Sequence, residues 1–248
     1  MTTMPTILRD DDRPDRLRIR LHRPEVRNAI DLETVKALHA VCDELERSPR
    51  ILILCGSEGV FASGADIAEL LQRSRDEALQ GINSRLFDRV AHLPMPVIAA
   101  VDGWALGGGA ELAYAADIRI ASERARFGNP EPSLGIVAAA GATWRLPRLV
   151  GEPLAKEMLL VGRIVDAQEA LAAGLVSAVH PPEMLDAAAD AVADRIAALD
   201  PLAIRQTKRL MGLPLDAHPR ADDDAQAECF VSPAKRERMT AFLERRKA

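Results

Sequence analysis

Hydrophobic positions follow two different periods along this chain. Residues 16–21, RLRIRL, alternate strictly, with Leu17, Ile19 and Leu21 on one face and arginines on the other, the pattern of a half-buried strand. His22-Arg23-Pro24 ends it. Leu32, Val35, Leu38, Val41, Cys42 and Leu45 then recur at helical spacing until Ser48-Pro49. Asp31 precedes them as an N-cap, and Ile30 and Val35 are placed for a hydrophobic staple around it. ILILC at 51–55 is a continuous apolar run ended by Gly56, too short for a helix and suited to a strand buried on both faces. A Gly/Ser-rich loop, GSEGVFASGAD, leads into a short helix from about Ile67. One longer helix is predicted over 76–93, with Leu79, Ile82, Leu86, Val90 and Leu93 on a stripe and Pro94 and Pro96 at its end. PVIAAV and IRIA (118–121) complete the buried strands.

Strands and helices therefore alternate through the first two-thirds, which predicts an α/β core. From about Glu152 the pattern turns helical: PLAKEMLLVG, AQEALAAG, EMLDAAADAVADRIAAL, PLAIRQTKRLM and PAKRERMTAFLERR. Pro153, Pro201 and Pro233 sit near helix starts, and Gly162 and Gly174 near helix ends. No long linker, repeat or low-complexity tract divides the chain.

Composition narrows the function. The 248 residues are 48% hydrophobic and 28% charged, the balance of a globular protein. A net charge of -5 argues against nucleic acid or membrane as the main partner, though not against a small polyanion in a local basic pocket. No stretch approaches the roughly 18 uncharged apolar residues of a membrane span. The first residues carry acids and lack the apolar segment of a signal peptide. Cys42, Cys55 and Cys229 are scattered and odd in number, which favours free thiols in a reducing, cytoplasmic setting. The five histidines show no metal-ligand spacing.

Three segments could carry chemistry. In GWALGGGAELAYAADIRIA (103–121), three glycines and then Glu111 interrupt an apolar stretch. Glycine lets backbone approach a ligand closely, and a helix start leaves N–H groups unpaired, where they favour negative charge. Close packing of two elements explains the glycines equally well. Their spacing is not that of a dinucleotide-binding fingerprint, which ranks a nicotinamide oxidoreductase last. FASGADI (61–67) offers a second turn with amides exposed near Ala65, or simply a turn capped by Asp66. Two such turns could together hold one oxyanion, as an enolate requires. In FGNPE, Glu131 lies between Pro130 and Pro132 and before a long uncharged run. It is either a surface turn or a desolvated carboxylate fit for proton transfer.

These segments, with LHRPEVRNAI near the start and FVSPAKRERMTAFLERR at the end, occur in the order and spacing of the enoyl-CoA hydratase/isomerase (crotonase) superfamily, which the chain resembles over nearly its whole length. The resemblance implies an α/β fold, a crotonase-like spiral of β-β-α turns over 1–195, and a C-terminal helical trimerisation region over 196–248. It implies that Ala65 and Gly108 donate the oxyanion-hole N–H groups and that Glu111 and Glu131 are the catalytic acid/base pair. It further implies substrate or CoA contacts at Glu25, Val26, Arg27, Ala62, Gly64, Asp66, Ile67, Trp104, Leu106, Gly107, Pro130, Leu134 and Ala139. Lys247 is implied as a contact to the nucleotide of a neighbouring subunit. No metal or further cofactor is implied, CoA being part of the thioester substrate. A homotrimer or dimer of trimers is the expected assembly.

The reaction so implied is addition of water across the 2,3 double bond of an enoyl-CoA thioester. A Δ3,Δ2-enoyl-CoA isomerase, or another enolate-stabilising acyl-CoA enzyme, is the alternative within the superfamily. A non-catalytic acyl-CoA-binding or RNA-associated protein is the alternative outside it. After Glu131 the family usually reads G-x-x-P-G-x-G-G-T-Q, whereas residues 135–144 here read GIVAAAGATW. Ala138 replaces the proline, Ala139 a glycine near the catalytic water, and Trp144 the glutamine. None removes an acid or an oxyanion donor, but Ala139 is placed to crowd the water or reshape the acyl pocket.

Overall fold

The structure, a computed structural model, describes residues 5–246. The chain begins with β1 (Ile7–Asp10) and β2 (Arg16–Leu21), followed by α1 (Leu32–Arg47) and β3 (Ile51–Gly56). Next come α2 (Ile67–Gln72), α3 (Arg75–Leu79), α4 (Ile82–Ala91), β4 (Val97–Val101), β5 (Trp104–Leu106) and α5 (Gly108–Ala115). β6 (Ile118–Ser122), β7 (Arg126–Gly128), α6 (Ala142–Lys156), β8 (Val165–Asp166), α7 (Ala167–Ala172) and β9 (Val179–His180) follow. The remainder is helical: α8 (Leu185–Ala197), α9 (Pro201–Met211), α10 (Arg220–Phe230) and α11 (Pro233–Arg245).

One sheet runs β1-β2-β3-β4-β6-β9, and a smaller one β5-β7-β8. β1 is antiparallel to β2, while β2, β3, β4, β6 and β9 are mutually parallel. β3 and β4 are buried at every residue, as their unbroken apolar runs require of strands covered on both faces. Asp31 caps α1 by accepting from the Thr34 amide at 2.7 Å, and the apolar stripe of α1 is buried from Val35 to Leu45, while Leu32 at its start is exposed. Residues up to Ala193 form one compact unit, and those from Asp194 a second.

The structure corrects three expectations. The arginine face of β2 is not solvated: Arg16 and Arg18 are buried, and α8 brings carboxylates to them. Arg18 donates to Asp186 and Asp190 at 2.8 Å each, and Arg16 donates to Asp15 at 2.7 Å and Asp190 at 3.2 Å. Burial of charge is tolerated there because each guanidinium is paired and hydrogen-bonded. The single helix expected over 76–93 is two, α3 and α4, because Gly81 takes a left-handed φ of 62° between them. Regular helix also resumes at Ala142, earlier than the change near Glu152. Non-helical backbone at Gly151 interrupts it, so Pro153 does stand near a helix start.

Within the second unit Pro201 and Pro233 open α9 and α11, with Asp200 and Ser232 as their side-chain N-caps. α10, which the apolar period does not announce, lies between them.

Candidate active site

The segments that follow β3 and β4 are sewn together by backbone bonds. Ala62 N–H donates to the Trp104 carbonyl and Leu106 N–H to the Ala62 carbonyl, each at 3.0 Å. Ile30 N–H donates to the Gly64 carbonyl at 2.8 Å, and Asp66 N–H to the Ile30 carbonyl at 3.1 Å. These bonds fix the main chain on both sides of Ala65.

The three consecutive glycines serve three separate constraints. Gly107 has a φ of 49°, and a Cβ there would lie 3.1 Å from Glu131 Oε1, so Glu131 rests against this residue. Gly108 opens α5, and a Cβ on it would lie 3.3 Å from the Ala65 nitrogen. Gly109 faces Ala62, whose carbonyl oxygen would be 2.3 Å from an added Cβ; α5 can lie this close only without a side chain there. The result brings the Ala65 and Gly108 amides side by side. Neither donates to a backbone acceptor among the described residues, as the open first turn of a helix dictates for Gly108.

Glu111 projects from the first turn of α5 and is buried. Its Oε1 accepts from the Ala140 amide at 2.7 Å and the Ala142 amide at 3.1 Å. Burial nevertheless dominates and pushes its pKa up to about 7, with Glu131 adding like-charge repulsion against the two amides' pull. Glu131 starts a 3-10 turn after β7 and is also buried. Its Oε1 accepts from Asn129 Nδ2 at 3.5 Å, and its Oε2 has no partner among the described residues. Desolvation raises this carboxyl too. Two buried carboxylates that repel one another favour a state in which the pair holds a proton near neutral pH.

Both acids and both amides line one cavity of about 450 Å³. Of the implied contacts, Gly64, Ile67, Gly107, Pro130, Leu134 and Ala139 line it as well. The others do not. Ala62 is wholly buried, and its N–H and carbonyl are both committed to β5. Asp66 spends its carboxylate on capping α2 and on Arg23 at 3.1 Å. Leu106 has its amide bonded to Ala62. Glu25, Val26 and Arg27, a 3-10 turn and its left-handed end, lie outside the cavity lining, as does the partly exposed Trp104 of β5. Lys247 is outside the described residues.

Three residues absent from the sequence reading belong here. Buried Tyr114 donates from its hydroxyl to Asn129 Oδ1 at 3.1 Å, which orients the Asn129 amide toward Glu131. Asn129 stands within FGNPE, where its turn propensity hides it. Tyr114 lies one helical turn from Glu111, a spacing that could have flagged it. Asn83, in the first turn of α4, lines the cavity, and no motif marks it.

Known proteins resemble this chain along nearly its whole length. The profile of the enoyl-CoA hydratase/isomerase family matches residues 17–248. A short-chain-enoyl-CoA hydratase of Clostridium acetobutylicum is 40% identical over 238 residues, 92% of this chain and 91% of that protein. A 2,3-dehydroadipyl-CoA hydratase of Escherichia coli is 35% identical, over 93% of this chain and 92% of its own. The crystal structure of an enoyl-CoA hydratase from Bacillus anthracis superposes with a TM-score of 0.92 at 33% identity, covering 97% of this chain and 96% of that one. That agreement bears out the crotonase-like α/β fold with its C-terminal helices. With fold and profile matched across nearly all its residues, the chain belongs to the enoyl-CoA hydratase/isomerase family.

Proposed function

We propose that this protein hydrates 2-enoyl-CoA thioesters. The observation that carries the reading is the meeting, in one cavity, of two unpaired backbone N–H groups with two buried carboxyls of raised pKa. The Ala65 and Gly108 amides bind the thioester oxygen. As water adds to Cβ, electron density moves through Cα to that oxygen, and fixed donors are worth most where charge develops. Glu111, its carboxylate held by the Ala140 and Ala142 amides, takes a proton from the attacking water. Glu131, with one oxygen unpartnered, delivers a proton to Cα. One proton is taken and one given, and exchange with solvent resets the pair.

Family kinship supports the acyl-CoA substrate class. Exposed Met239, Phe242 and Leu243 on α11 support self-assembly through the second unit, and family kinship supports a trimer or dimer of trimers as its form. The test of the reaction is loss of the conjugated enoyl-thioester absorbance of crotonyl-CoA, with Glu111→Ala and Glu131→Ala beside the wild type. Loss that vanishes in both variants is expected. Turnover of a β,γ-unsaturated thioester that survives Glu111→Ala, with no hydration, would replace the reading by the isomerase.

A further inference from the structure

Asn83 makes no hydrogen bond with either atom of its side-chain amide among the described residues, and its Oδ1 is buried. The unpartnered Oδ1 costs stability that a leucine of similar size would not, and the Nδ2 of the same amide is left as a donor with no acceptor among the described residues. Its position is specific. The left-handed turn at Gly81 starts α4 at the cavity edge, with Asn83 on the lining. A Cβ built on Gly108 would lie 3.5 Å from Asn83 Nδ2 and 3.3 Å from the Ala65 nitrogen, so three N–H donors crowd one point. Two of them are the backbone amides assigned above to the thioester oxygen.

We propose that Asn83 supplies a third, side-chain hydrogen bond to that oxygen. This rests on the reading of the cavity as a thioester site. An oxyanion has lone pairs for three donors, and a neutral amide stabilises developing charge without demanding a counterion in a desolvated pocket. Asn83 is then a catalytic residue that differs from its two partners in kind: it is a side chain, and can be changed without moving the main chain.

The test uses Asn83→Leu and Asn83→Asp in the full-length protein. Two readouts are taken: kcat and KM with crotonyl-CoA, and the infrared carbonyl stretch of bound butyryl-CoA carrying ¹³C at the thioester carbon. Butyryl-CoA has no double bond to hydrate, so its spectrum reports polarisation without turnover. Asn83→Leu is expected to lower kcat by roughly 10²-fold, to leave KM nearly unchanged, and to move the stretch to higher frequency. Asn83→Asp, isosteric and able to fold if the leucine variant cannot, is expected to be slower still at pH 8. It should recover as its carboxyl protonates and regains a donor. A wild-type carbonyl frequency and kcat in Asn83→Leu, with only melting temperature altered, would overturn the proposal and leave a structural role. A wild type that polarises butyryl-CoA through Asn83 but does not hydrate crotonyl-CoA would sink the hydratase reading and leave the third donor standing. Failure of the wild type to bind butyryl-CoA would overturn both.

Discussion

Replacing Glu111 by glutamine removes a titration while keeping the shape of the site. Gln Oε1 can still accept from the Ala140 and Ala142 amides, so the 138–142 segment keeps its anchor. In the native protein Glu111 keeps its proton up to about pH 7; in the unfolded chain it loses it near its ordinary value of 4.5. Between those values the native state binds more protons than the unfolded state, so stability falls as pH rises through that window and levels off above 7. The full interval corresponds to about 3 kcal/mol. Glutamine has no charge to bury. The stability of Glu111→Gln relative to wild type is therefore expected to improve by about 2–3 kcal/mol between pH 5 and pH 8. The assay is urea unfolding at several pH values and one fixed protein concentration, since self-association would add its own term. Hydration by the variant should be lost at every pH. Parallel stability curves for the two proteins would refute the reasoning, because a Glu111 that ionises normally in the folded state contributes no slope.

Other residues give independent checks. Gly108→Ala puts a methyl 3.3 Å from the Ala65 nitrogen, where the substrate oxygen is proposed to sit; crotonyl-CoA turnover should fall about 10²-fold with little change in the thermal melt. Tyr114→Phe strips the buried Asn129 of its donor and should cost about 1–3 kcal/mol in chemical denaturation. Asp190→Ala leaves Arg16 and Arg18 each with one fewer carboxylate under α8; a loss of about 1.5–3 kcal/mol is expected, with KM for crotonyl-CoA unchanged.

What could be read from the chain depended on the range of the interaction involved. β2, β3, β4 and the capped start of α1 rest on local period and a cap three residues away, and all are present. The break at Gly81 was hidden because the stripe of Leu79, Ile82 and Leu86 runs through it without a polar interruption. The buried arginines of β2 read as solvated because Asp186 and Asp190 arrive from more than 160 residues downstream. β5 and β7, three residues each, are too short to show any period. Within the site, Glu111 was conspicuous as a lone acid in an apolar stretch. The groups that hold it, Ala140 and Ala142, have no side-chain chemistry and could be found only in three dimensions. Asn83 has neither motif nor period, and its significance is purely one of juxtaposition.

The main-chain origin of the two paired amides has an evolutionary consequence. No codon specifies an N–H group, so nearly any substitution at Ala65 that keeps the backbone path leaves the donor in place. What must be kept is the space at the glycines, since a Cβ would meet Glu131 at Gly107, the Ala65 nitrogen at Gly108 and the Ala62 carbonyl at Gly109. Much of the remaining lining is ordinary side chain, including Leu134, Ile136, Val137 and Ala139. Mutation can therefore change those side chains, and with them the acyl groups accepted, while the backbone donors stay in place. A lineage built this way can drift in what it binds far faster than in what it does to it.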